Sequence, residues 1–379
     1  MDSKIKIPAL ENLNLDDPYY TTHLITYLGN KRRLLPFLHE NFLKVRKWAG
    51  KEKLVVLDGF AGSGAASRLL KAFSGELYVC DLEKYSCTIN ECYLANQSEV
   101  DINGLKDAVS WLNQNRHNDY GARPGFIESN YSPRDDNSIK PGERVFYTRS
   151  NARIIDNIRR LIGQVKPEYR PYCLAALLVK ASVHTNTSGV FKGFHKKLGN
   201  GHFGGVGENA LGRIKKEISL EMPLFSAFEC PVSVVNADIN QLVNDRTLPR
   251  FDLAYFDPPY NQHPYGSNYF MLNIINEGVP VEIQPGVSGI SSQWNRSSYN
   301  RRREAGKALD GLLANTRADY IAISYNNEGI IPMEEFVKII SRHGEWKLSE
   351  QEYNTYRGSR NLAGRNTKVK ELLWLIKKG

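Results

Sequence analysis

A short apolar run over residues 54–57 ends at Asp58, passes through a glycine-rich turn and continues into a helical period over Ala65–Phe73. Short apolar runs bounded by turn residues predict strands, and apolar positions recurring three and four residues apart predict helices. A second run, 77–80, stops at Asp81 and precedes a helical stretch over 84–96. The opening therefore reads strand, helix, strand, helix, and such alternation implies a parallel sheet. Further strands are expected at 232–235, 253–256 and 320–324, followed by a terminal pair at 347–353 and 369–376 that forms a hairpin at the sheet edge.

Residues 98–230 break the alternation. They hold a loop-rich stretch at 120–141, helical runs at 151–164 and 172–183, and then HTNTSGVFKGFHKKLGNGHFGG, rich in Gly, Lys, His and Phe. The expected organisation is one α/β unit split by a mainly helical insert, with 1–97 and 231–379 forming the unit and 98–230 the insert. A second irregular loop, 284–303, contains RSSYNRRR and does not fit a sheet element. No internal repeat is present.

With 379 residues, 41% hydrophobic and 24% charged, the chain can bury a substantial core. Its net charge of +9 favours an anionic partner such as nucleic acid, as an argument about steering alone. The five cysteines (Cys80, Cys87, Cys92, Cys173, Cys230) form no CxxC pair and match no zinc spacing, so reduced thiols and no metal site are expected. The N-terminus has no apolar signal core, and no segment approaches the roughly 18 apolar residues of a membrane span. A cytoplasmic protein without a membrane partner is the expectation.

The loop Asp58-Gly59-Phe60-Ala61-Gly62-Ser63-Gly64 stands at the carboxyl end of a predicted strand, where a doubly wound sheet holds a ligand close to the backbone. A phosphate loop would need Lys then Ser or Thr after Gly64, where Ala65 and Ala66 stand. The dinucleotide spacing GxGxxG is absent too. A carboxylate at Asp58 would repel a pyrophosphate and suits a cationic or hydroxyl-bearing ligand. Asp81, ending the second strand, is placed to bond a ribose hydroxyl or to cap the helix that follows.

Asp257-Pro258-Pro259-Tyr260 follows the predicted strand 253–256 directly. Two prolines stop the strand and stiffen the turn, so the Asp257 carboxylate, the Pro258 carbonyl and the Tyr260 ring are held rigidly. That set suits an exocyclic amine on a planar base. Two acceptors binding its hydrogens turn the nitrogen lone pair toward an electrophile, while Tyr260 stacks on the ring.

With these motifs in place the sequence resembles the Dam-like, alpha-class family of DNA adenine-N6 methyltransferases, particularly members of restriction-modification systems. The resemblance covers most of the chain. It implies a Rossmann-like methyltransferase sheet with an inserted target-recognition domain, S-adenosyl-L-methionine as methyl donor and double-stranded DNA as partner, with a cognate restriction endonuclease as a further candidate partner. Tyr27 and Lys31 in Tyr27-Leu28-Gly29-Asn30-Lys31 match the element that closes over the donor. Phe60 is implied as a wall of the methionine pocket, with Gly62 and Gly64 in the loop, and Asp238-Ile239 as the contact to the donor's adenine; on its own Asp238 also suits a helix cap. Ser324-Tyr325-Asn326-Asn327-Glu328-Gly329 and Tyr356-Arg357-Gly358-Ser359-Arg360 resemble signatures near the target-base pocket. The segment from Asn186 to Lys192 is similar to the family's DNA-probing hairpin, with Asn186-Thr187 where an Arg-Thr pair is usual and with Phe191 beside it.

The resemblance implies direct in-line transfer to an adenine flipped out of the duplex. Lys192, Lys196, Lys197, Arg296, Arg301, Arg302 and Arg303 are the expected phosphate contacts. The rival readings are methylation of cytosine N4, of RNA or of a protein glutamine, and a non-catalytic DNA-binding protein of the same fold. Asp257 at the first tetrapeptide position favours adenine.

Overall fold

The computed structural model describes residues 9–118, 123–197, 200–205, 207–354 and 368–379. The Tyr356–Arg360 stretch lies outside the described residues. The sheet has seven strands, named β1 (Leu54–Asp58), β2 (Ser74–Asp81), β3 (Val232–Asn236), β4 (Phe251–Phe256), β5 (Ala318–Asn326), β6 (Gly344–Asn354) and β7 (Lys368–Lys378). Its order is β3-β2-β1-β4-β5-β7-β6. The first five run parallel, and β7 and β6 complete the edge as an antiparallel pair. The expected edge hairpin is therefore present, with the later strand lying inside the earlier one.

The strand order reverses between β1 and β4, which makes the carboxyl ends of these two strands the crevice of the doubly wound sheet. Every residue of β4 is buried, as a central parallel strand covered on both faces requires. Two apolar clusters cover the two sheet faces. Leu38, Phe42, Leu69 and Phe73 pack on one, and Leu309, Leu312, Phe336 and Ile340 on the other. The helices Leu35–Ala49, Phe270–Glu277, Arg302–Asn315 and Met333–Ile340 were not resolved in the sequence reading, and Arg302–Asn315 begins within the loop assigned to 284–303.

The region 98–230 is helical as expected, with Ile102–Asn115, Phe126–Tyr131, Arg149–Leu161 and Arg170–Val183. It does not have a core to itself. Its Ile155, Leu177 and Ala181 share one apolar cluster with Leu24, Ile25, Tyr85 and Ile89 from the first part of the chain and with Phe270, Met271 and Ile274 from the last. Among the described residues, no helix is long and apolar enough to cross a membrane. All five cysteines are unpaired and buried.

The segment expected to be a base-probing hairpin is corrected by its surroundings. A two-residue antiparallel ladder does occur, but it pairs Lys196 with Gly201 and Lys197 with Asn200, about ten residues later than expected. Asn186 is fully buried and its amide donates to the Val145 and His202 carbonyls, each at 2.7 Å, while its oxygen accepts from the Gly204 amide at 3.1 Å. Thr187 is buried and caps the Gly189 amide, and Phe191 is buried against Phe146 and Phe270. None of the three presents a group to a base edge in this arrangement. A buried amide that satisfies three backbone groups is costly to lose, by about 1–3 kcal/mol for the orphaned partners. Asn186→Ala should therefore lower the unfolding free energy by that amount in a urea titration followed by tryptophan fluorescence, and an unchanged midpoint would remove the stapling role.

Candidate active site

The carboxyl ends of β1, β2, β3 and β4 open into one cavity, a concave site of the kind that holds small molecules. The sequence-predicted residues Tyr27, Lys31, Phe60, Gly62, Asp81, Asp238, Ile239, Asp257 and Pro259 all line it. Four predicted residues stand elsewhere. Asp58 and Gly64, at the two ends of the glycine loop, and Pro258 and Tyr260 in the tetrapeptide lie outside the lining.

Asp58 is the main correction on the donor side. Its carboxylate is fully buried, accepting from Ser67 Oγ at 2.7 Å and from the Phe60 amide at 3.3 Å. Burial pushes its pKa up to about 7 against these two bonds. Its work is to hold the turn, and no face of it meets the cavity. Gly64 adopts φ +76° ahead of the Ala65–Phe73 helix, and a Cβ there would come within 2.8 Å of Asn90 Oδ1.

Asp81 both lines the cavity and braces the glycine loop. Its Oδ2 accepts from the Gly62 amide at 2.7 Å and its Oδ1 from the Glu83 amide at 2.8 Å. Burial raises its pKa, opposed by these backbone bonds. Gly62 has φ +53°, and a Cβ would approach Tyr27 Cε1 to 2.7 Å, so the loop and the Tyr27 ring are in contact only because the side chain is absent. Asp238 accepts from the Asn240 amide at 2.8 Å, caps the Ile239–Leu242 helix and lines the cavity.

The element around Tyr27 is locked by aromatic stacking. Tyr27 lies against Tyr265 and Tyr269 with ring centroids 4.8 Å apart in each case and interplanar angles of 21° and 18°. Tyr265 donates its hydroxyl to the Leu28 carbonyl at 2.9 Å, and the Leu28 amide donates to the Tyr269 hydroxyl at 2.7 Å. Phe60 stands edge-on to Phe256 and Tyr299.

Asp257, at the end of β4, meets a cation that the sequence assigned to the donor side. Lys31 Nζ lies 3.0 Å from Asp257 Oδ1 and 2.9 Å from Glu371 Oε1, with the three side chains 5%, 18% and 2% exposed in that order. Burial works against the Lys31 charge, yet the two carboxylates hold its pKa well above the ordinary lysine value. Burial likewise pushes the Asp257 pKa up to about 6, with Lys31 pulling down and Glu371 pushing up. Tyr260 fixes the turn through its carbonyl, which accepts from the Ile330 amide at 2.8 Å. Just upstream, Ser324 shares a 2.9 Å hydrogen bond with the Tyr255 hydroxyl, so the 324–329 signature lies beside the tetrapeptide as expected.

Sequence reasoning missed Glu83, Tyr265, Asn295, Tyr299 and Asn300, all of which line the cavity. Glu83 is buried, accepts from Asn273 Nδ2 at 2.6 Å and is pushed up to about 7 by burial. Its place two residues beyond the strand-ending Asp81 was a signal that could have found it. Asn300 donates to the Asn261 carbonyl at 2.7 Å, which fixes its amide so that Oδ1 is left buried without a hydrogen-bond partner at the cavity wall. Nothing in the sequence marked that residue.

Of the expected phosphate contacts, Lys192, Lys196, Lys197, Arg296, Arg301, Arg302 and Arg303 are all exposed. Arg296 lies over the Trp294 ring at 4.1 Å, and Arg301 pairs with Glu304 at 2.8 Å.

The family model described as D12 class N6 adenine-specific DNA methyltransferase matches residues 27–339. Similar curated proteins include the type II methyltransferase M.CviAII of Paramecium bursaria Chlorella virus 1, 28% identical over 364 residues, covering 93% of this chain and 98% of that protein. The type II methyltransferase M.NlaIII of Neisseria lactamica is 29% identical, covering 89% and 93%. The modification methylase LlaI of Lactococcus lactis subsp. lactis is 28% identical over 93% of this chain and 55% of its own length. The match begins at Tyr27 and spans the glycine loop, the acidic strand ends and the Asp-Pro-Pro-Tyr turn, so the chain belongs to the family of D12 class N6 adenine-specific DNA methyltransferases.

Proposed function

We propose that the protein uses S-adenosyl-L-methionine to methylate adenine N6 at a defined sequence in double-stranded DNA, as the modification enzyme of a restriction-modification system. The observation that carries this reading is the Asp257 carboxylate, fixed by two prolines at the end of the central strand and opening on the same cavity as Asp81 and Asp238. The names of the similar proteins, which are type II methyltransferases and modification methylases, support the biological setting. A cytoplasmic location follows from a DNA substrate.

The cavity suits a donor that is cationic, aromatic and hydroxylated. Phe60 and Tyr299 offer ring edges and faces, Asp81 and Glu83 offer carboxylates, and Asn300 Oδ1 is an acceptor in need of a donor group. The bound donor would supply a methyl group on a sulfonium, to which the amine's lone pair forms the N–C bond while the C–S pair returns to sulfur. The chain's own part is positional. Asp257 and the Pro258 carbonyl accept the two hydrogens of the amine, Tyr260 stacks on the purine, and Asp81 keeps the Gly62 amide in place under the donor. A target adenine reaches this site only when flipped out of the duplex. Lys192, Lys196, Lys197, Arg296, Arg302 and Arg303 are then the phosphate contacts, and with Asn186, Thr187 and Phe191 buried, base reading belongs to exposed neighbours in the same regions.

Asp257→Ala should abolish methyl transfer to adenine while leaving donor affinity nearly intact in calorimetry. Retention of a tenth of normal turnover, a loss of only about 1.4 kcal/mol, would contradict the role. Asp81→Ala and Asp238→Ala should each weaken donor binding by about 1–3 kcal/mol, the scale of hydrogen bonds to a charged partner, and unchanged affinity in both would remove the donor assignment. Replacing Arg302 and Arg303 by alanine should weaken binding to all duplexes alike and reduce the slope of log K against log salt by about 2; a change confined to some sequences would instead give these arginines a base-reading role.

A further inference from the structure

The family match ends at residue 339, yet the last strand of the sheet brings a second carboxylate to the reacting turn. Glu371 lies on β7 opposite Asn326, in a strand whose neighbouring positions Leu372, Leu373 and Trp374 are core. An ionisable group in that setting is 2% exposed because Lys31 lies against it at 2.9 Å. The contact is an ion pair and not a directed hydrogen bond, since Oε1 has no well-angled donor. The same ammonium is 3.0 Å from Asp257. One cation is thus divided between a buried and a half-buried carboxylate, and the groups that face Asp257 are Lys31, Glu371, Asp58 and the hydroxyls of Tyr255, Tyr260 and Tyr265.

A lone lysine on Asp257 would make a poor acceptor of it, because a fully paired carboxylate offers less charge to an incoming amine. We propose that Glu371 is a positioning residue for methyl transfer, drawing the Lys31 ammonium partly off Asp257 so that Asp257 keeps the basicity to hold the target amine and take its proton. The inference rests on the reading of Asp257 given above. As the N–C bond forms and the donor's C–S bond breaks, the amine nitrogen becomes cationic, and one of its protons passes to an Oδ of Asp257 and then to water. Glu371 touches no substrate in this scheme and acts only through Lys31 and through the field it sets at Asp257.

The sign of each electrostatic effect gives the test. Transfer requires the ionised Asp257, so kcat at saturating donor and DNA should fall as pH drops through about 6. Glu371 pushes that carboxyl's pKa up, so Glu371→Gln should move the acid limb to lower pH by about 1 unit, with a lower plateau because the base is weaker. Lys31→Met removes the cation that pulls the pKa down, and should move the limb the opposite way.

Glu371→Asp separates charge from shape. It keeps the negative charge and shortens the side chain, whereas Gln keeps the shape and loses the charge. An electrostatic role predicts that Asp leaves the limb near its wild-type position and that Gln moves it; a purely structural role predicts that Gln is the milder change. A Gln variant with an unmoved limb, an Asp variant that shifts as Gln does, or failure of both to fold would each overturn the proposal. Turnover retained by Asp257→Ala is a different result, which would sink the reading of the tetrapeptide itself.

Discussion

The site depends on a buried ammonium held between two carboxylates that come from opposite ends of the chain. Lys31 belongs to a short helical turn near the start, Asp257 to the end of β4 and Glu371 to β7. Removing such charges from water costs several kcal/mol per ion, so the arrangement persists only where all members are present and paired. The consequence is structural as well as chemical. The first turn of the family-matched region and the last strand, which lies beyond it, are tied to the same reacting carboxylate.

The donor side is organised on a different principle, that of backbone groups held by buried acids. Asp58 and Asp81 end neighbouring strands and hold different parts of the loop. Asp58 accepts from Ser67 and fixes the root of the turn, whereas Asp81 accepts from the Gly62 amide and fixes its crest. The Tyr27 ring then covers the crest, and the Leu28 backbone, donating its amide to the Tyr269 hydroxyl and accepting from the Tyr265 hydroxyl at its carbonyl, holds that cover to the helices after the tetrapeptide. Asp81, Asp238 and Asp257 consequently line one continuous cavity, which on the reading proposed above sets methyl donor and target amine side by side.

Much of this was legible before any coordinates, because parallel strands advertise themselves. Central strands are continuous apolar runs, and each of the reacting acids stands at or just beyond the end of one. The Ala65–Phe73 helix has the bounds its pattern predicts, and the terminal strand pair forms the expected edge hairpin. What failed was the separation of exposed from buried polar residues. Asn186 lies in a basic, glycine-rich stretch that looks solvated, yet three backbone groups from two segments, Val145 and His202–Gly204, converge on its amide. Glu371 failed for the converse reason. In Lys368–Lys378 a glutamate preceded by lysines resembles the wet face of an edge strand, but β6 lies outside it and turns β7 into an interior strand. Burial of that kind is set by strand order, which no local pattern reveals.

The shared core adds a constraint on how recognition and chemistry are joined. The insert does not dangle from the sheet: Leu177 and Ala181 pack in one cluster with Ile25 of the donor-closing element and with Phe270 after the tetrapeptide. The turn after Asn186 is pressed between those same two elements, with the Phe191 amide on the Asn268 carbonyl at 2.7 Å and Gly189 too close to Thr26 Cγ2, 2.8 Å, to carry a Cβ. A close-packed interior transmits displacement instead of absorbing it. Contacts made by the exposed lysines that follow this turn, Lys192, Lys196 and Lys197, are therefore anchored in the packing that also sets the Tyr27 cover. Among the described residues, none of 98–230 lines the cavity, so the shared core is what links that region to the Tyr27 element.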